Sequence, residues 1–199
     1  MRALLKFSNA VDWLNTQIGK LTMWLILAAT LISAGNAIVR KAFDSSSNAL
    51  LEIQWYLFAG VFLLGAGYVF LKNAHVRIDF ISSRLSDRAR NWIDVIGIVA
   101  VLFPFCLILI VLSWPIFTQA LASGEMSQNA GGLIRWPVYV LVPLGFSLLA
   151  LQGVSELIKR IAFLMGLIED PTQKKVAKTA EEELAEEIVR LAEAKNKTA

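Results

Sequence analysis

Two short polar clusters stand at the ends of one apolar run, and their side chains are the ones in this chain best suited to specific chemistry. The run is Ile53 to Leu71. Glu52 comes just before it, and Gln54 and Trp55 open it. His75, Arg77 and Asp79 follow it. A carboxylate at the mouth of an apolar helix is costly in lipid, so it needs a partner, water or the positive end of its own helix. Glu52 is therefore expected to contact a partner subunit or Arg40, or to face water at the helix N-terminus. His75 is the only histidine. Such a residue can titrate near neutrality. No second histidine or nucleophile stands near it in sequence, so an acid–base role has little to build on. Hydrogen bonding to Asp79 or to lipid headgroups is the expected use.

Residue counts remove several other chemistries. One histidine and one cysteine cannot build a self-contained zinc site of the usual ligand type or a bis-histidine haem anchor. Cys106 lies in the middle of the third apolar run and reads as a small buried residue. No glycine-rich phosphate loop and no nucleophile–base pair is legible. No apolar run carries a charge at its midpoint, and no pair of interrupted helices flanks a polar core, as a transport site requires. No basic stripe falls on a soluble domain, so nucleic acid is not an expected partner. The chain is not expected to catalyse, to hold a cofactor or to translocate a solute alone.

The elements that must position these residues are membrane helices. The chain has 199 residues, is 56% hydrophobic and has a mean hydropathy of +0.59. Four uncharged runs are long enough to span: Leu21 to Val39, Ile53 to Leu71, Val95 to Gly124 and Trp136 to Ser155. A hydrocarbon core of about 30 Å takes roughly 20 helical residues. The predicted spans are about 21–39, 53–71, 95–118 and 136–158, because the third run is too long for one crossing. All four runs are apolar on every face, which argues against barrel strands. The fold class is therefore all-α integral membrane. It is divided into an N-terminal amphipathic segment 1–20, a four-helix domain 21–168 and a polar tail 169–199.

Charge orients this bundle. Arg2, Lys6 and Lys20 precede the first span. Lys72, Arg77, Arg84, Arg88 and Arg90 lie between the second and third, and Lys159 and Arg160 follow the fourth. Arg40, Lys41 and Arg135 lie on the other side. The bias places both termini in the cytosol. In residues 1–20, Leu4, Phe7, Val11, Leu14 and Ile18 make one apolar stripe, which predicts an interfacial or packed helix rather than a plain extension of the first span. The first span is expected to be an uncleaved anchor. Ser86 and Asp87 predict the start of the next helix. Pro104, Pro115 and Pro143 each remove a backbone donor and can kink their helices. Gly60, Gly65 and Gly67 let helices approach closely. With Phe58 and Phe62 alongside, they make the second span the best candidate for packing against another subunit. In the tail, Glu181 to Ala194 reads as a charged helix.

These pieces together resemble the DctQ-type small membrane subunit of tripartite ATP-independent periplasmic (TRAP) transporters. The resemblance is carried by Ser33-Ala34-Gly35-Asn36-Ala37 with Arg40, by Glu52-Ile53-Gln54-Trp55-Tyr56, and by His75-Val76-Arg77-Ile78-Asp79. Ser127-Gln128-Asn129-Ala130-Gly131-Gly132 with Arg135-Trp136-Pro137 adds to it, as do Gln152-Gly153 and Glu156-Leu157. It covers about residues 1–165. It implies a bacterial inner-membrane subunit without catalysis, in an importer of organic acids. The partners it implies are a large multi-span permease subunit that carries the sodium and substrate sites, a periplasmic substrate-binding protein, and membrane lipids. Arg40, Glu52, Gln54, Trp55, Gly60, Gly65, Gly67, His75, Arg77 and Asp79 are then the expected interface or lipid contacts. A membrane anchor for a redox enzyme is the competing expectation.

Overall fold

The computed structural model describes residues 1–44, 47–73 and 85–169. His75, Arg77, Asp79 and the tail helix lie outside the described residues. Among the described residues, four helical stretches are long and apolar enough to cross a membrane. The first is α1, Arg2–Phe43, and the second is α2, Asn48–Leu71. The third runs from Asp87 to Ser123 in three pieces: α3 (Asp87–Gly97), a π-helical turn (Ile98–Leu102) and α4 (Phe103–Ser123). The fourth is a short α5, Trp136–Tyr139, leading into α6, Leu141–Leu164. α1, α2 and α6 pack on one another in a triangle, and the third stretch attaches to the rest mainly through α6.

The expected starts are seen at α3. The Ser86 hydroxyl accepts from the Ala89 amide at 3.3 Å, which satisfies one open donor of the first turn. Asp87 occupies that turn and pairs with Arg90 at 2.8 Å. The helix outruns the predicted end of its span and stops at Ser123, where Gly124 takes the left-handed conformation (φ 64°). Pro104 cannot donate to Ala100, and the wider π turn just before it takes up the strain, with Phe103 N–H reaching Ile98 O. That turn aims Leu102 and Phe103 at Gly153 on α6. A Cβ there would stand 2.8 Å from Leu102 Cδ2 and 2.9 Å from Phe103 Cε1.

The N-terminal segment does not separate from the first span. It is the first half of one 42-residue helix. Of its predicted apolar stripe only Val11 is buried, while Leu4, Phe7 and Leu14 are exposed. The side that packs carries Ser8, Asn15, Thr22, Ala29 and Asn36, one buried residue every seven, with Val11 and Gly19 beside them. A strict heptad of this kind is the seam of a left-handed helix pair. It is built from small and polar residues because lipid already solvates apolar side chains, so close approach and hydrogen bonds supply the association. Buried polar residues accordingly outnumber buried apolar ones among the described residues.

Candidate functional site

Polar side chains gather at both ends of the bundle. At one end Glu52, in the first turns of α2, holds the connection between the third and fourth stretches. Its Oε1 accepts from Asn129 Nδ2 at 2.7 Å and from the Ser127 hydroxyl. Its Oε2 accepts from the Leu133 amide at 2.7 Å. Charge-assisted bonds to a carboxylate are the strong class. Around them the connection forms a small hairpin. Met126 and Ile134 bridge, Ser127 N–H donates to Leu133 O at 2.8 Å, and Arg135 N–H donates to Glu125 O at 2.9 Å. The hairpin turns through Asn129–Gly132, where Gly131 supplies a φ of 71°. Asn48 Nδ2 donates to Ala130 O at 3.0 Å and the Tyr56 hydroxyl to Ile134 O at 3.1 Å, so three side chains of α2 grip one hairpin. Of the alternatives the sequence left for Glu52, Arg40 is not the partner. The carboxylate is occupied by the hairpin, within the chain.

At the other end an ionic network joins α1, α3 and α6. Arg160, only 3% exposed, donates to Glu156 through Nη1 and to Asp94 Oδ2 from Nε at 3.2 Å and Nη2 at 3.1 Å. Lys159 Nζ donates to Glu156 Oε1 at 2.5 Å and to Asp12 Oδ2 at 3.0 Å. Gln152 Nε2 donates to Asp12 Oδ1 at 2.9 Å, and Asn15 Nδ2 donates to Gln152 Oε1 at 2.8 Å. Ser155 donates to Asp12 Oδ1 at 2.7 Å and lies 2.6 Å from the Ser8 hydroxyl. Buried charge is tolerable when each member is paired and hydrogen-bonded. Among the described residues, three carboxylates and two cations meet in this cluster.

The remaining predicted residues divide. Gly60, Gly65 and Gly67 face inward. A Cβ on Gly60 would stand 3.3 Å from Leu25 Cδ1, one on Gly65 3.6 Å from Thr22 Cγ2, and one on Gly67 would collide with the Asn15 carboxamide. The close approach they permit is therefore between helices of this chain. Trp55 and Phe62 are about three-quarters exposed, with Phe58 between them on the same face. Arg40 and Gln54 line a cleft between α1 and α2.

The profile of the DctQ component of tripartite ATP-independent periplasmic transporters matches residues 29–163. The chain belongs to the DctQ family. No curated protein and no solved structure matches it. As a DctQ chain it is a multi-pass membrane protein and a component of a TRAP transporter. The motif pieces that stand far apart in sequence are neighbours in space: Glu52 meets Ser127 and Asn129, and Asn36 shares a cleft with Gln54.

The network around Arg160 went unread in the sequence of this DctQ chain. Lys159 and Arg160 read there as orienting charges, and Asp12 drew no reading of its own. The signal was present as Ser8, Asn15 and Thr22, a polar heptad that runs from the N-terminal segment into the first span. Asp12, Asn15 and Ser8 also lie outside the matched range, while their partners Gln152, Ser155 and Lys159 lie within it.

Proposed function

We propose that this chain is the small, non-catalytic permease subunit of a sodium-coupled, binding-protein-dependent importer of organic acids, and that it braces the static scaffold of the large subunit. The carrying observation is the DctQ match across a bundle whose buried charges tie its own helices together. A subunit that braces needs internal rigidity and one free apolar face. The Arg160 network supports the first, and the outward ridge of Trp55, Phe58 and Phe62 on α2 supports the second. The hairpin held by Glu52 is then a preformed platform beside the docking site of the periplasmic binding protein. Both termini lie in the cytosol of a bacterial inner membrane, in keeping with the basic residues of the segments on that side. Substrate and sodium are held by the other components. The redox-anchor alternative is not favoured by the family match.

The test is a mild-detergent pull-down of the tagged chain from its native membrane. A multi-span partner in near-equal amount, colourless and co-eluting, is the expected result. A haem- or flavin-bearing partner would overturn the proposal.

A further inference from the structure

The cleft between α1 and α2 has a volume of about 580 Å³, and its polar lining is Ser33, Asn36, Arg40, Lys41, Asp44 and Gln54. Two of these are unsatisfied. Asn36 is 7% exposed and Gln54 8%, yet Asn36 Oδ1 and Gln54 Nε2 have no hydrogen-bond partner among the described residues. Buried polar atoms are paired almost everywhere in folded proteins, so two orphans on one cleft call for a ligand. They are complementary orphans. Asn36 offers an acceptor and Gln54 a donor. The exposed rim repeats the pattern with two cations, Arg40 and Lys41, and one anion, Asp44. A matching ligand combines anionic oxygens and N–H donors within a few ångströms.

Depth narrows the source. Asn36 lies three heptads beyond Asn15 on the same unbroken helix, about 30 Å along its axis. That is roughly the thickness of a hydrocarbon core. Asn15 belongs to the charged network at one end, so Asn36 stands at headgroup level on the opposite surface. Ala37 of α1 and Leu51 of α2 line the cleft, are exposed, and offer apolar surface for acyl chains. We infer that this cleft binds one phospholipid with a phosphate–ammonium headgroup of the ethanolamine type. Its phosphate accepts from Arg40, Lys41 and Gln54 Nε2, and its ammonium donates to Asn36 Oδ1 and Asp44. The inference requires only that the chain spans a bilayer. Its failure would leave the transporter assignment standing, and the pull-down tests that separately.

The experiment is native mass spectrometry of the full chain, stripped of endogenous lipid and titrated with phosphatidylethanolamine, phosphatidylglycerol or phosphatidylcholine of one acyl composition. The expected result is a single retained lipid, with the ethanolamine form held about fivefold more tightly than the other two, since only it brings a charged N–H donor to Asn36 and Asp44. Phosphatidylcholine is zwitterionic but has no N–H, which isolates the contribution of Asn36 and Asp44. The double substitution Arg40→Ala, Lys41→Ala should lower retention of all three lipids about tenfold. Asn36→Leu should bring the ethanolamine form down to the glycerol form, and Arg88→Ala, far from the cleft, should change nothing. Circular dichroism of each variant checks that helicity is kept. Equal retention of the three lipids by the unmodified chain, or a wild-type pattern in both cleft variants, overturns the inference, and so does a cleft that retains no lipid.

Discussion

Arg160 joins two carboxylates on different helices from an almost fully buried position, and the end of the bundle depends on it. Its removal takes away the guanidinium that bridges Glu156 and Asp94. Arg160→Met is expected to destabilise the chain by about 3 kcal/mol or more, the usual cost of breaking a buried ion pair from one side. Replacing Arg160 and Glu156 together by Met should recover part of that loss, because no uncompensated partner then remains between them. Thermal unfolding of the three proteins in one detergent measures both effects. At the opposite end, Glu52→Gln keeps the shape but loses the charge and one acceptor. The Leu133 amide, which now donates to Glu52 Oε2, should exchange with solvent about tenfold faster. Hydrogen exchange at that amide is the check, and an unchanged rate would remove Glu52 as the clamp of the hairpin.

Among the helices, the contacts that matter most are those that leave no room. On α6 a Cβ at Gly145 would stand 2.6 Å from Leu63 O, a backbone atom that moves only if α2 moves with it. Gly145→Ala is expected to cost about 1–3 kcal/mol as overpacking. Gly35→Ala, on an open face of α1, should stay within about 0.5 kcal/mol of the parent. Melting temperatures of the pair separate helix packing from any general effect of glycine replacement. The sequence made these elements visible unevenly, for a physical reason. Span number and type could be read because run length alone decides them, and the Ser86 cap could be read because capping is local. The packing side of α1 could not. Apolar periodicity marks a core in water, whereas in lipid the small and polar stripe of Ser8, Asn15 and Thr22 turns inward. Glu52 was legible as a residue needing a partner. Its partners, more than seventy residues away on a hairpin shaped by Gly131, were beyond the reach of local pattern.

For the whole molecule, the triangle of α1, α2 and α6 leaves the aromatic ridge of α2 on its outside. If that ridge meets the large subunit, Trp55→Ala with Phe62→Ala should cut co-purified partner at least about fivefold, since buried aromatics dominate interfaces. The melting temperature of the isolated chain should stay unchanged, because neither side chain is buried within it. Loss of both partner and stability would instead place the ridge in the chain's own fold. The two polar ends of α1 carry one more implication. Asn15 and Asn36 are fixed to a single helix without a break, so the gap between them cannot stretch. A bilayer of mismatched thickness must deform, tilt the helix or force a polar group into oil. In vesicles of graded acyl length, thermal stability should pass through a maximum where the hydrocarbon layer is about 30 Å thick. The chain would then act as a gauge of the membrane around it, sorting its transporter into bilayers of one thickness.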